Sequence, residues 1–149
     1  MQLKFIANIF QYSLQEIKET LGYEALTMIL RRVGERVGEN IVNRLEGKYA
    51  SVEEFCNLLI TDVIAPVVGD DKATADIRGD NVIFKLDTCP YKAAGFPIQD
   101  MSFFCEYTEG LIENALQCAF PGKNYQLEYP VDSLISKEGC KTCVFKINS

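Results

Sequence analysis

The chain has 149 residues, 48% of them hydrophobic and 24% charged, which is enough apolar material for the core of one domain. Its formal net charge of −6 argues against a nucleic-acid surface, because phosphate binding requires clustered lysine and arginine. No stretch approaches the ~20 apolar residues of a membrane span, and the N-terminus lacks the apolar centre of a signal peptide, so we expect a cytoplasmic protein.

The first half of the chain has the periodicity of helices. Apolar residues recur every three or four positions over residues 6–21, and Gly22 predicts the end of this first helix. A second helix is predicted over residues 24–45, with Leu26 and Leu30 widening its apolar side. The line that defines this side has four-residue spacing and consists of Ile29, Val33, Val37 and Ile41.

Two glycines interrupt the predicted second helix. Gly34 and Gly38 are four residues apart, and each should cost about 1 kcal/mol relative to alanine. The pair indicates that another backbone or a ligand approaches closely on that face. The alternative is a tolerated weakness with no such contact.

The second half of the chain mixes strands and a helix. Ser51 and Glu54 form a capping box that begins a third helix, and Pro66 and Gly69 are predicted to stop it. A hairpin signal at Gly79 joins predicted strands at residues 74–78 and 81–87. A fourth helix over residues 101–120 and strands at 125–131 and 143–147 follow. These elements predict a single α+β domain over residues 1–149, in which an N-terminal helical layer packs on a small antiparallel sheet of two hairpins, with one long intervening helix.

Six cysteines are the most informative polar residues of the chain. In a reducing compartment, spaced thiols are metal ligands, redox groups or core residues more often than disulfides. Cys56 and Cys118 lie in apolar helical patterns, so we expect them to pack as small hydrophobic residues. The other four stand at the edges of predicted elements: Cys89, Cys105, Cys140 and Cys143.

These four thiols predict a metal site. The chain has no histidine, so thiolates are its natural soft ligands, and Cys140-x-x-Cys143 is a short chelating pair. Completed by Cys89 and Cys105, the pair would form a closed tetrahedral zinc site. An iron–sulfur cluster is the alternative cofactor. The opposing interpretation is four reduced thiols packed near one another without metal.

The residues favour binding over catalysis. Without histidine there is no Ser-His-Asp or Cys-His arrangement. Cys105 at a helix start is a conceivable nucleophile, but Glu106 and Glu109 beside it disfavour a thiolate. Aromatic and aliphatic residues from several elements could instead line a pocket for a small apolar molecule, with an ordinary core as the alternative. The candidate pocket residues are Leu30, Val33, Phe84, Tyr91, Phe96, Phe104 and Tyr107.

Three pieces of the chain carry a family resemblance. They are residues 30–38 with their glycine pair, residues 105–111 from cysteine to helix glycine, and the closing Gly139-x-x-x-Cys143-x-Phe145. Their order resembles the archaeal and bacterial 4-vinyl reductase or hydrocarbon-binding domain family, which is grouped structurally with trafficking-complex (TRAPP) subunits and haem nitric-oxide-binding domains. Cys89-Pro90-Tyr91 is also similar to related hydrolase-like and sensory branches.

The resemblance implies a sensor or carrier of a small apolar ligand with a zinc site beside the pocket. By position, Cys105 matches the family's helix cysteine, Cys143 its last hairpin cysteine, and Asp132 its acidic ligand. The other hairpin-cysteine position holds Ile135, so Cys140 or Cys89 would have to complete the shell. The related branches leave a reductase- or hydrolase-like enzyme using Cys105 or the metal as one alternative. A dimeric interaction or scaffold protein of the trafficking-subunit type is the other, and a homodimer through the helical layer is expected.

Overall fold

The computed structural model describes residues 2–89, 91, 103–128 and 143–149. Within them, the helices are α1 (Gln2–Leu21), α2 (Tyr23–Leu45), α3 (Val52–Leu59), α4 (Ala65–Val68) and α5 (Phe103–Ala119). A π-helical turn, Ile60–Ile64, joins α3 to α4, and a short 3-10 turn, Pro121–Lys123, follows α5. The strands are β1 (Ala73–Arg78), β2 (Asn81–Leu86), β3 (Gln126–Glu128) and β4 (Cys143–Asn148).

The described strands form one antiparallel sheet in the order β1-β2-β4-β3. Side chains alternate between its two faces, so Val82, Phe84 and Leu86 of β2 all point into the core. Across the strands, Phe84 pairs with Ala75 of β1 and with Phe145 of β4. The predicted α+β class is therefore confirmed, with a helical layer on one face of a small antiparallel sheet.

The main core lies between this sheet and helices α2, α3 and α5. Phe55 anchors it from α3, with its ring 4.8 Å from that of Tyr49 and 5.7 Å from that of Phe120, both edge-on or tilted. A smaller second cluster forms where α1 crosses α2, at the N-terminal end of α5. Its buried members are Leu14, Leu26 and Leu30, with Ile17, Tyr91 and Tyr107 packed against them.

Helix α3 begins where the capping box predicts, but the helical segment does not stop at Pro66. The Ser51 hydroxyl accepts from the Glu54 N–H at 3.1 Å, as a capping box requires. Pro66 does not stop the helix, which continues to Val68 and ends at Gly69, whose φ is 110°. The π turn makes this possible because the N–H of Ala65 bonds to the Ile60 carbonyl, five residues back. Pro66 therefore lies in the first turn of α4.

The buried side of α2 is the predicted one only in part. Leu26, Leu30 and Ile41 are buried as predicted, together with Gly34 and Gly38, whereas Val33 is 44% exposed. Glycine has no apolar side chain and so contributes nothing to a hydrophobic periodicity. The predicted line therefore passed through Val33 and Val37, one residue before the buried Gly34 and Gly38. What faces these glycines is the start of the candidate site.

Candidate functional site

The backbones of α2 and α5 touch along a seam of three glycines. A Cβ at Gly38 would lie 2.6 Å from the carbonyl oxygen of Leu111, and one at Gly34 would overlap the carbonyl oxygen of Tyr107. From the other helix, a Cβ at Gly110 would lie 2.6 Å from the carbonyl oxygen of Arg31. The predicted close approach at the glycine pair is confirmed, and the approaching group is the backbone of α5.

Polar contacts fix the register of this seam. The Asn114 side-chain amide of α5 donates to the Glu35 carbonyl oxygen of α2 at 2.6 Å. The Arg31 guanidinium of α2 donates to Glu113 Oε1 at 2.7 Å. The second oxygen of Glu113 accepts the backbone N–H of Leu127, so this carboxylate joins α2, α5 and β3.

Arg31 is surrounded by more carboxylates than it can neutralise. Its Nη1 lies 3.5 Å from Glu106 and 3.7 Å from Glu109, and its Nε lies 3.6 Å from Glu35. Burial alone would lower the pKa of Arg31, but Glu113 and Glu106 together raise it. With Glu113, the group holds four carboxylates around one guanidinium; we call it the Arg31 cluster.

Glu109 is the buried member of the Arg31 cluster. Its side chain is 8% exposed, and its Oε2 receives no hydrogen bond from any residue that the structure describes. Burial raises its pKa to about 7, with Glu106 and Glu113 adding to the rise and Arg31 opposing it. A signal for this cluster exists in the sequence, because residues 106, 109 and 113 are three and four apart and share one helix face.

A second polar group lies beside the small apolar cluster. The Tyr91 hydroxyl and the Thr108 hydroxyl are 2.6 Å apart, which is a hydrogen bond. Burial raises the pKa of Tyr91, and the Cys105 and Cys89 thiols are close enough to contribute to the rise. Cys89 is only 2% exposed, and Cys105 is half-buried. Two of the predicted site cysteines therefore flank one buried tyrosine.

Helix α1 leaves a row of large apolar side chains in solvent. It faces the rest of the protein along a narrow strip, in which Leu14 alone is fully buried; the half-buried members are Ala7, Gln11, Ile17 and Lys18. On the opposite side, four side chains are more than half exposed and form what we call the α1 apolar face: Phe5 at 69%, Ile6 at 61%, Ile9 at 53% and Tyr12 at 65%. None of the described helices is both long and apolar enough to cross a membrane.

Comparisons with known proteins bear on the fold. No family model matches the chain, and no curated protein matches it. A solved structure does match, that of a trafficking protein particle complex subunit 3 from Naegleria fowleri covalently bound to palmitic acid. The alignment covers 99% of this chain and 94% of that chain, with a TM-score of 0.64 and 13% sequence identity. The two proteins share a fold.

This match supports part of the family resemblance drawn from the motifs. The trafficking-subunit relation is supported at the level of fold, since an identity of 13% shows nothing finer. The assignment to the 4-vinyl reductase or hydrocarbon-binding family gains no support from it and stays a prediction.

The predicted metal ligands are only partly described. Cys89 and Cys105 both lie near Tyr91, and the backbone of Cys143 pairs with Leu86, at the end of β2 that leads to Cys89. Cys140 and Asp132 lie outside the described residues. Within the described part of the chain, no three cysteine or carboxylate side chains form a group that could hold a metal ion. Zinc and the iron–sulfur alternative stay predictions.

The two remaining cysteines were expected to pack in the core. Cys56 does so; it is fully buried, and burial raises its pKa to about 12. Cys118 does not, because it faces solvent near the C-terminal end of α5. An apolar helical pattern identifies the helix correctly but cannot assign a side to a cysteine at its edge.

The predicted pocket residues fall into separate places. Leu30, Tyr91 and Tyr107 meet in the small apolar cluster, whereas Phe84 belongs to the main core and Val33 is 44% exposed. Phe104 lies in the first turn of α5, and Phe96 lies outside the described residues. Their proposed ligand-binding role stays a prediction.

Proposed function

We propose that this protein is a subunit of a protein assembly and that it self-associates through the α1 apolar face. The observation that carries the proposal is the exposure of Phe5, Ile6, Ile9 and Tyr12, each more than half in solvent, on one side of one helix. Contiguous apolar surface of this kind is typical of protein–protein contact sites. The fold shared with a trafficking-complex subunit supports the same proposal.

A second copy of the chain fits this face by symmetry. In an antiparallel pairing of two α1 helices about Ile9, Ile6 of each copy lies opposite Tyr12 of the other, because their numbers are equidistant from 9. Ile9 then meets its own equivalent at the two-fold axis. Glu16 lies on the same side further along α1, beyond this central contact and at its solvated rim.

Replacing Ile9 with glutamate tests the interface. We expect light scattering to give the wild-type protein twice the 16.8 kDa mass of one chain and the Ile9→Glu variant the mass of one chain. The reason is that two carboxylates at the two-fold axis would be buried beside each other without partners.

Val67→Glu is the matched control. Val67 lies on α4 and is 53% exposed, the same as Ile9, so a general effect of adding a surface charge would appear in both variants. The control is expected to stay dimeric. A wild-type protein that runs as one chain at every concentration, or an Ile9→Glu protein that stays dimeric, would contradict the proposal.

A second candidate function is the binding of a fatty acyl chain. The similar trafficking-complex subunit is covalently bound to palmitic acid, and in this chain the thiols of Cys105 and Cys89 lie beside an apolar cluster. We propose that Cys105 accepts a palmitoyl group as a thioester, because it is the more exposed of the two thiols. The acyl chain would then pack against Leu30 and Tyr107.

Intact-protein mass spectrometry after incubation with palmitoyl-coenzyme A tests this candidate. The Cys105 sulfur attacks the thioester carbonyl, and its thiol proton passes to the departing coenzyme A sulfur. Coenzyme A leaves as its thiol, and the protein gains one palmitoyl group. We expect the gain in the wild type and in Cys118→Ser, which removes the exposed thiol, and its loss in Cys105→Ser. Labelling that persists in Cys105→Ser and disappears in Cys118→Ser would instead identify adventitious acylation of a surface cysteine.

A further inference from the structure

Among the described residues, the most buried carboxylate lies beside a close backbone contact between α2 and α5. Glu109 is 6% exposed and directly precedes Gly110, where a Cβ would come within 2.6 Å of the Arg31 carbonyl oxygen. Beside this contact the Oε2 atom of Glu109 is inaccessible to solvent, so an ionised Glu109 would be only partly hydrated. A charge on Glu109 must be balanced by the protein or be relieved by separation of the helices.

The protein balances this charge poorly. Glu109 Oε2 lies 3.7 Å from Arg31 Nη1, too far for a hydrogen bond, and no other described residue bonds it. The shortest contact of Arg31 is taken by Glu113, at 2.7 Å. Among the described residues, the charges facing Glu109 are Arg31 from α2, with Glu35 bound to it, and Glu106 and Glu113 from α5. The Arg31 cluster holds one cation and four carboxylates. Neutralising Glu109 lowers the electrostatic repulsion within the cluster more than neutralising any other member.

We propose that Glu109 is a proton-controlled latch on the α2–α5 seam. The protonated side chain holds the two helices together, and the ionised side chain weakens their contact. The neutral carboxylic acid suits the buried position beside Gly110 and lowers the negative charge around Arg31. The carboxylate repels Glu106 and Glu113 across one helix turn each and favours states in which the seam opens locally and admits water. Near-neutral changes in pH would thereby adjust how firmly α2, which carries α1, is held on the rest of the fold.

The direction of the pH effect follows from linkage. Burial and the neighbouring carboxylates raise the pKa of Glu109 from 4.5 to about 7, so between these values the folded protein holds a proton that the unfolded chain releases. The stabilisation is complete below the unfolded value and is lost as the pH rises through the folded one. Among the described residues, Glu128 is the only other carboxyl with a shifted pKa. Lys146 lowers the pKa of Glu128, so its effect on stability falls at more acidic pH.

The experiment compares urea denaturation midpoints of wild type, Glu109→Gln and Glu106→Gln from acid to mildly alkaline pH. We expect the wild-type midpoint to fall as pH rises through neutrality. Glu109→Gln, whose amide resembles the protonated acid in shape, should match the wild type at acid pH and lack the fall. Glu106→Gln, one turn away on α5, should keep the fall and displace it to lower pH, because Glu106 is one of the charges that raise the pKa of Glu109.

Carbon-13 NMR titration of the wild-type glutamate carboxyls gives a second readout that needs no variant. A Glu109 carboxyl that titrates near neutrality supports the latch. A Glu109 carboxyl that titrates near 4.5 overturns it, and so does a Glu109→Gln protein that keeps the wild-type fall. If Glu109→Gln does not fold, the titration of the wild type decides.

Discussion

Replacing Gly34 with alanine is expected to destabilise the protein by at least about 3 kcal/mol, the upper end of the usual cost of overpacking a core. A domain of this kind has only about 5–15 kcal/mol of stability, so this loss is a large fraction of the total and should lower the urea midpoint clearly. Alanine raises intrinsic helix propensity by about 1 kcal/mol relative to glycine, which opposes this effect. The destabilisation must therefore come from the seam.

The obstruction at Gly34 cannot be relieved by a side-chain rotation. The atom that a new Cβ would overlap is the backbone carbonyl oxygen of Tyr107, which is held within the hydrogen-bonded frame of α5. The two helices would have to separate, which would break the Asn114 bond to the Glu35 carbonyl and the Arg31 bond to Glu113. These are the contacts that fix the register of the pair.

Gly122→Ala is the control for this prediction. Nothing lies within 4 Å of a Cβ at Gly122, so we expect its urea midpoint to be within experimental error of the wild type or slightly higher. The measurement is equilibrium urea denaturation followed by circular dichroism, with the slope compared to verify a two-state transition. A Gly34→Ala midpoint equal to that of the wild type would show that the helices are further apart than the structure has them.

Local signals in the sequence were enough for the order and type of the elements. The capping residues at Ser51, the hairpin glycine at Gly79 and the helix-ending Gly22 each act on their own neighbours, so no tertiary contact is needed to identify them. The pair Gly34 and Gly38 also predicted a close approach correctly. Two costly glycines in one helix are difficult to account for without a partner at that surface.

The Arg31 cluster could not be predicted in the same way. Arg31 and Glu106 are 75 residues apart, and each looks like an ordinary surface residue within its own helix. Only the packing of α2 on α5 brings the charges together. The spacing of Glu106, Glu109 and Glu113 shows that they share a face, but a shared face is as typical of solvated helices as of buried clusters.

The α1 apolar face illustrates a different limit. Periodicity shows that α1 has an apolar side, and the natural expectation is that this side packs on the domain. In the structure the contact with α2 uses a narrower line through Leu14, and Phe5 and Ile9 remain exposed on the other side. A hydrophobic pattern indicates that a helix face is to be buried. It does not indicate whether the same chain or another one buries it.

Replacing Arg31 with methionine is expected to lower the free energy of unfolding by about 2–4 kcal/mol at neutral pH. The loss is smaller than for breaking a wholly buried ion pair, because the Arg31 side chain is a quarter exposed. Methionine retains much of the apolar length of the arginine side chain, so the loss of stability is due mainly to removal of the positive charge. Glu109 and Glu113 would keep their carboxylates without the cation that faces them. The loss should be smaller at acid pH, because Arg31 is the contact that lowers the pKa of Glu109 and its removal favours the protonated form.

Arg32→Met separates this effect from the removal of any positive charge on α2. Arg32 is the next residue, is exposed, and takes no part in the ion pairs found among the described residues. Its urea midpoint should change little, whereas that of Arg31→Met should fall, and fall further as the pH rises from 5 to 8. Equal losses in the two variants would mean that the Arg31 cluster is an ordinary solvated face. A selective, pH-dependent loss in Arg31→Met would show that the single guanidinium is what allows three carboxylates of α5 to lie against α2.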